Sequence, residues 1–132
     1  PFFWFSEGPM QYLTARKRAE GRGAAGTGTE HHWSMTVSSV GLAFLVPVWL
    51  YLFGSALGQP RAVVLETFAS PFAAIVTALI LVVGMRHFAM GATVAIEDYA
   101  QGTTRRMLVI AAVALAWVIA ATGLFALVRI AL

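Results

Sequence analysis

The sequence predicts an all-α membrane protein with three spanning helices, and three observations carry that prediction. The first is composition: of 132 residues, 59% are hydrophobic and only 11% charged, with mean hydropathy +0.77. Few soluble domains reach these values. The second is the arrangement of the apolar residues into three long runs, Met35–Leu57, Pro71–Met85 continued by Phe88–Ile96, and Met107–Val128, with short polar stretches between them. The third is charge placement. A net charge of +3 and a pI near 10.0 would suggest nucleic acid as the partner of a soluble protein. Here the basic residues gather at the ends of apolar runs, where they set membrane orientation, so no nucleic-acid partner is expected. Three spans, over about 34–57, 71–99 and 106–129, use most of the chain. No separate soluble catalytic domain fits, and the chain alone is not expected to be an enzyme. With no cysteine, neither a disulfide nor a thiolate metal site is available.

In chain order, residues 1–33 read as a polar N-terminal segment and 34–132 as the membrane anchor. Pro1–Pro9 precedes Met10, which suggests either translation from Met10 with an upstream extension or a segment trimmed before Pro1. It is not a signal peptide, since no basic region precedes a long apolar core. Gln11–Glu30 holds Arg16, Lys17, Arg18 and Arg22 among four glycines. Its composition predicts a mobile, solvated lead-in, with docking to a partner or to anionic lipid headgroups as the alternative. His31, His32 and Trp33 precede the first span, Trp33 as an interfacial anchor. Adjacent histidines point about 100° apart on a helix, so they do not form a metal pair as i, i+4 histidines can.

The first run, Met35–Leu57, makes a helix of about 34 Å, enough to span. Pro47 is expected to bend it, while Ser34, Ser38 and Gly41 form a stripe of small residues that permits close packing. Gly58–Ser70 reads as a connection with a short interfacial turn at Ala62–Leu65. Ser70 before Pro71 is a helix start: a capping hydroxyl, then the residue tolerated at the first helical position. The second helix runs to Tyr99. Gln101–Arg106 reads as a tight turn between antiparallel neighbours. In the third helix Ala112, Ala116 and Ala120 recur at four-residue spacing as a packing face, and Arg129 marks the end. Four basic residues in the N-terminal segment and Arg105 and Arg106 in the second loop, against Arg61 alone in the first, place the N-terminus and the 97–106 turn in the cytoplasm. The C-terminus is then periplasmic.

The chemistry concentrates in Met85–Tyr99, MRHFAMGATVAIEDY. Arg86 and His87 interrupt an apolar helix near its middle, where ionisable groups are costly and functional by default. His87, Gly91 and Asp98 fall on one stripe at about 100° per residue, with Tyr99 about 100° further round. Gly91 removes a side chain one turn from the histidine, leaving space for something broad and flat. Haem fits that description, because neutral imidazole is its usual axial ligand. Only one histidine lies deep, so a second ligand would come from another chain. The residues alone equally allow a histidine hydrogen-bonded to a neighbouring helix.

His87, Gly91 and the Glu97-Asp98-Tyr99 triplet, an HxxxG followed by acidic-Asp-Tyr, resemble the second helix of the small membrane-anchor subunit of succinate dehydrogenase, respiratory complex II. The resemblance covers roughly Met10 to the C-terminus, with specificity in the second helix. It implies a three-helix anchor packing with a larger cytochrome b anchor subunit into a helical bundle in the bacterial inner membrane. It further implies an iron–sulfur subunit and a flavoprotein that oxidise succinate on the inner side. The histidine at the His87 position is, by resemblance, an axial ligand of haem b shared with the larger anchor subunit. The tyrosine at the Tyr99 position donates a hydrogen bond to a ubiquinone carbonyl, and the aspartate at the Asp98 position orders the polar groups of that pocket.

The pattern is not matched throughout. Family members often carry an arginine near the start of the first helix, in an RxTA-like stretch, where this chain has Thr36, Val37, Ser38 and Ser39. Some carry a basic residue two positions after the histidine, where this chain has Ala89. Arg86 is expected to compensate by pairing with a haem propionate or a partner's acid, since an intramembrane arginine needs a partner in any case. Three other readings are compatible with the residues. One is a fumarate reductase anchor working on menaquinol, one a haem-free proton-coupled transporter subunit using Arg86, His87 and Asp98, and one a scaffold whose histidine only bonds a neighbouring helix.

Overall fold

The structure, a computed structural model, describes residues 14–20 and 27–132. All regular structure among them is helical: α1 (Ala15–Glu20), α2 (Gly28–Ala56), α3 (Arg61–Ala69), α4 (Pro71–Tyr99) and α5 (Gly102–Ala131). The chain divides into two units, residues 1–32 and 33–132. Three helices, α2, α4 and α5, are long and apolar enough to cross a membrane. The fold class is therefore the expected all-α one.

Several boundaries differ from those expected, each for a local reason. The lead-in predicted as mobile and solvated carries the short helix α1, and α2 starts at Gly28 rather than near residue 34. Glu30 in the first turn of α2 favours that earlier start by facing the positive end of the helix dipole. The Met10 start and residues 1–9 lie outside the described residues. The connection after α2 contains a nine-residue helix, α3, rather than a single turn. The tight turn expected over 101–106 contracts to Ala100 and Gln101, because α5 begins at Gly102 and takes both arginines into its first turns. Gly102 has φ +62, a left-handed backbone at which a β-carbon would be strained, and this lets the chain reverse in so few residues. Gly58, φ +75, does the same after α2.

Ser70 is the N-cap residue of α4 and Pro71 follows at the first position, as expected. Its hydroxyl does not cap α4, however. It donates to Thr67 O at 2.7 Å, closing the end of α3 instead.

Within the second unit α4 packs along α5, and α3 touches both. The alanine face of α5 is the buried one: Ala116 and Ala120 are both buried, and Leu127 continues the row. At Gly123 a β-carbon would come within 2.9 Å of the Leu81 methyls, so the helices meet there without a side chain between them. The α2–α4 seam is antiparallel, with Met35 beside Gly91, Ser38 beside His87 and Leu42 beside Gly84. The helices bury little on one another. Only 6% to 11% of the most apolar window of each long helix is inside the structure, and Phe44, Tyr51, Ile75, Ile110 and Trp117 all face outward. An outer surface of that kind is stable against lipid or another apolar chain, not against water.

Candidate functional site

Arg86 and His87 sit 13 and 12 residues before the end of α4, so His87 lies about 18 Å along the helix from Tyr99. Each meets a serine of α2. The Arg86 guanidinium donates through Nη2 to Ser34 Oγ at 3.1 Å, and Ser38 Oγ lies 2.8 Å from His87 Nδ1. Ser34 and Ser38 are one turn apart on one face, which is why two adjacent residues of α4 find two partners on a single helix. Ser38 is buried, His87 half-buried, and Arg86 exposed on its outer side. The serine stripe expected only to permit close packing therefore carries hydrogen-bonding chemistry. The signal was present in its hydroxyls: alanines at the same spacing would pack as closely and bond nothing.

Gly91, one turn beyond His87, also faces α2. A β-carbon there would lie 3.8 Å from the Met35 methyl, so the space freed by the glycine is bordered by a flexible thioether side chain. Arg86 further borders an apolar cleft of about 440 Å³ between α4 and α5, with Met85, Met90 and Trp117 among its walls.

At the end of α4 the triplet is split among three surroundings. Glu97 pairs with Arg105 of α5 at 3.0 Å, a partner that spacing along the chain does not reveal. Tyr99 is 92% exposed and borders an open hollow of about 640 Å³, shared with Ala95, Ile96, Gln101, Thr104 and Leu108. Asp98 is exposed and does not line that hollow. The phenol is thus displayed at the end of the helix, beside an open hollow.

In sequence, the chain is 44% identical over 123 residues to the succinate dehydrogenase hydrophobic membrane anchor subunit of Paracoccus denitrificans, an alignment covering 93% of this chain and 95% of that protein. Residues 10–124 match the succinate dehydrogenase/fumarate reductase transmembrane subunit family. The chain belongs to that family. As a succinate dehydrogenase/fumarate reductase transmembrane subunit it is an integral membrane protein, and its three long apolar helices agree with this. No solved structure gives a significant match to it.

The residues at mid-helix can be tested against the haem that the resemblance implies. Among the described residues no three His, Asp or Glu side chains converge as a metal cluster would. A haem iron needs no such cluster, since its macrocycle supplies four nitrogens and the protein only axial ligands. A half-buried imidazole held through Nδ1, with Nε2 unengaged among the described residues, fits one axial position.

Proposed function

We propose that this chain is the small membrane anchor of a succinate:ubiquinone oxidoreductase, contributing one axial ligand of haem b, His87, and part of the ubiquinone site at Tyr99. The observation that carries the reading is the state of His87: mid-span, half-buried and bonded through one ring nitrogen to Ser38. The other nitrogen has no partner among the described residues, which suits one kept for an iron. The membrane-anchor name of the Paracoccus relative, over nearly the whole of both chains, supports the assignment to succinate oxidation.

In this reading the flavoprotein and iron–sulfur subunits work on the cytoplasmic side, and the larger cytochrome b anchor subunit supplies the second histidine. Haem b, when bound, supplies a one-electron redox centre between the two anchors. The residues of this chain bind and orient. His87 would hold the iron, and Gly91, bordered by the flexible Met35 side chain, would leave room beside it for the macrocycle. Arg86, bonded to Ser34 and exposed on its outer side, would offer its remaining N–H groups to a propionate. At the helix end, the Tyr99 hydroxyl donates to a quinone carbonyl oxygen, a bond that strengthens as the oxygen gains negative charge. Asp98, beside it, orders the polar groups that the partners bring to the pocket. The basic residues of the N-terminal segment and of the α5 start put the N-terminus in the cytoplasm and the C-terminus in the periplasm.

The test is a dithionite-reduced-minus-oxidised visible spectrum of the purified assembly, with wild type beside His87→Ala. A b-type α-band that weakens or shifts in the variant is the expected result. An unchanged band would remove His87 from the iron, and no band in the wild type would remove the haem from the reading.

A further inference from the structure

We infer that Ser38 is the positioning residue of the His87 ring: its oxygen accepts a hydrogen bond from Nδ1–H, which fixes the tautomer, the ring orientation and the donor strength of Nε2. This rests on the reading of His87 as an axial ligand. The distance alone, 2.8 Å, does not say which atom carries the proton. The other bonds of Ser38 do. A serine hydroxyl has one hydrogen, and Ser38 Oγ lies 2.9 Å from Met35 O, a carbonyl that can only accept. With the hydrogen directed there, the lone pairs of the oxygen face the ring and the ring nitrogen must donate. The opposite assignment, Ser38 donating to Nδ1, would put the ring proton on Nε2, the nitrogen that must be free to ligate iron if His87 is an axial ligand. Met35 O also takes the Ser39 hydroxyl at 2.8 Å, so that turn of α2 holds two serine hydroxyls on one carbonyl and keeps both from rotating freely.

The geometry has two consequences for the ligand. A hydrogen bond from Nδ1–H pushes electron density toward Nε2 and makes the imidazole a stronger donor, which favours ferric over ferrous iron. Ser38 is buried at the antiparallel seam and belongs to α2, so the ring angle follows the packing of α2 on α4. Ser34 does the same for the neighbouring Arg86, which explains why both serines lie on one face.

The experiment uses the intact complex carrying Ser38→Ala, and the shape-matched pair Ser38→Thr and Ser38→Val, with His87→Ala as reference. The readouts are haem per flavin, haem midpoint potential and the low-field g-value of the ferric haem. Ser38→Ala is expected to weaken haem retention by about tenfold, as loss of such supporting partners does elsewhere. It should also raise the midpoint potential and shift the g-value. Ser38→Thr should behave as wild type and Ser38→Val as Ser38→Ala. Because threonine and valine differ only in the hydroxyl, equal behaviour of that pair in potential and g-value overturns the inference, even if both lose haem. Wild-type values in Ser38→Ala overturn it too, while leaving His87 on the iron. If His87→Ala itself keeps an unchanged haem, the ligand assignment fails first, and that outcome is separable from the others.

Discussion

Tyr99 shows how much one side chain can carry when its surroundings are left open. It is almost fully exposed, has no hydrogen-bond partner among the described residues that would compete for its proton, and stands on a helix end rather than a loose loop. Removing its hydroxyl deletes one hydrogen bond to an oxygen that becomes charged, worth about 1.5 to 3 kcal/mol. Tyr99→Phe should therefore slow quinone reduction by about 10- to 100-fold. Succinate oxidation with an artificial acceptor should stay within error of wild type, and equal loss of both activities would count against the quinone role. At the same scale, Trp49 Nε1 and Thr77 Oγ1 are buried with no hydrogen-bond partner among the described residues. By the antiparallel register both belong to one level of the α2–α4 seam, on the side of His87 away from Tyr99.

The corner between α4 and α5 decides where Tyr99 is displayed. Two residues separate the helices, and the reversal depends on the left-handed backbone of Gly102. A side chain there costs about 1 to 2 kcal/mol. The Glu97–Arg105 pair across the same corner is nearly half exposed on both sides and contributes at most about 1 kcal/mol, so it cannot hold the turn by itself. Gly102→Ala is thus expected to lower the thermal midpoint of the detergent-purified complex and to raise KM for quinone. His87 is far along the helix from this corner, so the haem spectrum should not move. A variant with wild-type quinone kinetics would show that the corner does not govern the phenol.

For the whole molecule, the outward apolar faces and the distribution of arginine make one statement about placement. In the proposed orientation the basic N-terminal segment ahead of α2 and the start of α5, with Arg105 and Arg106, face the cytoplasm, and three spans carry the end of α5 to the periplasm. Alkaline phosphatase fused after Leu132 should be active, and the same enzyme fused ahead of α2 inactive, since it folds only where disulfides form. The reverse pattern would invert the orientation and move Tyr99 to the other face. The low burial of the three long helices also means that their stability is shared with whatever covers them in the complex.

Composition and run length alone were enough for the class of fold and the second helix, because hydrocarbon admits only helices of a known length and the apolar pattern records them directly. The candidates Arg86, His87, Asp98 and Tyr99 stand out for a related reason: polar groups in an apolar helix are conspicuous, and their spacing survives in one dimension. The true extents of α2, α3 and α5 were less legible, since polar residues such as Glu30, Arg61 and Arg105 continue a helix as readily as they end it. What only the tertiary structure decided is which side chains answer those polar groups. Ser34 and Ser38 lie about fifty residues away from Arg86 and His87, and Arg105 is across a corner from Glu97. A hydrogen bond depends on ångströms between helices, and that distance is set by packing, which no local pattern in the chain records.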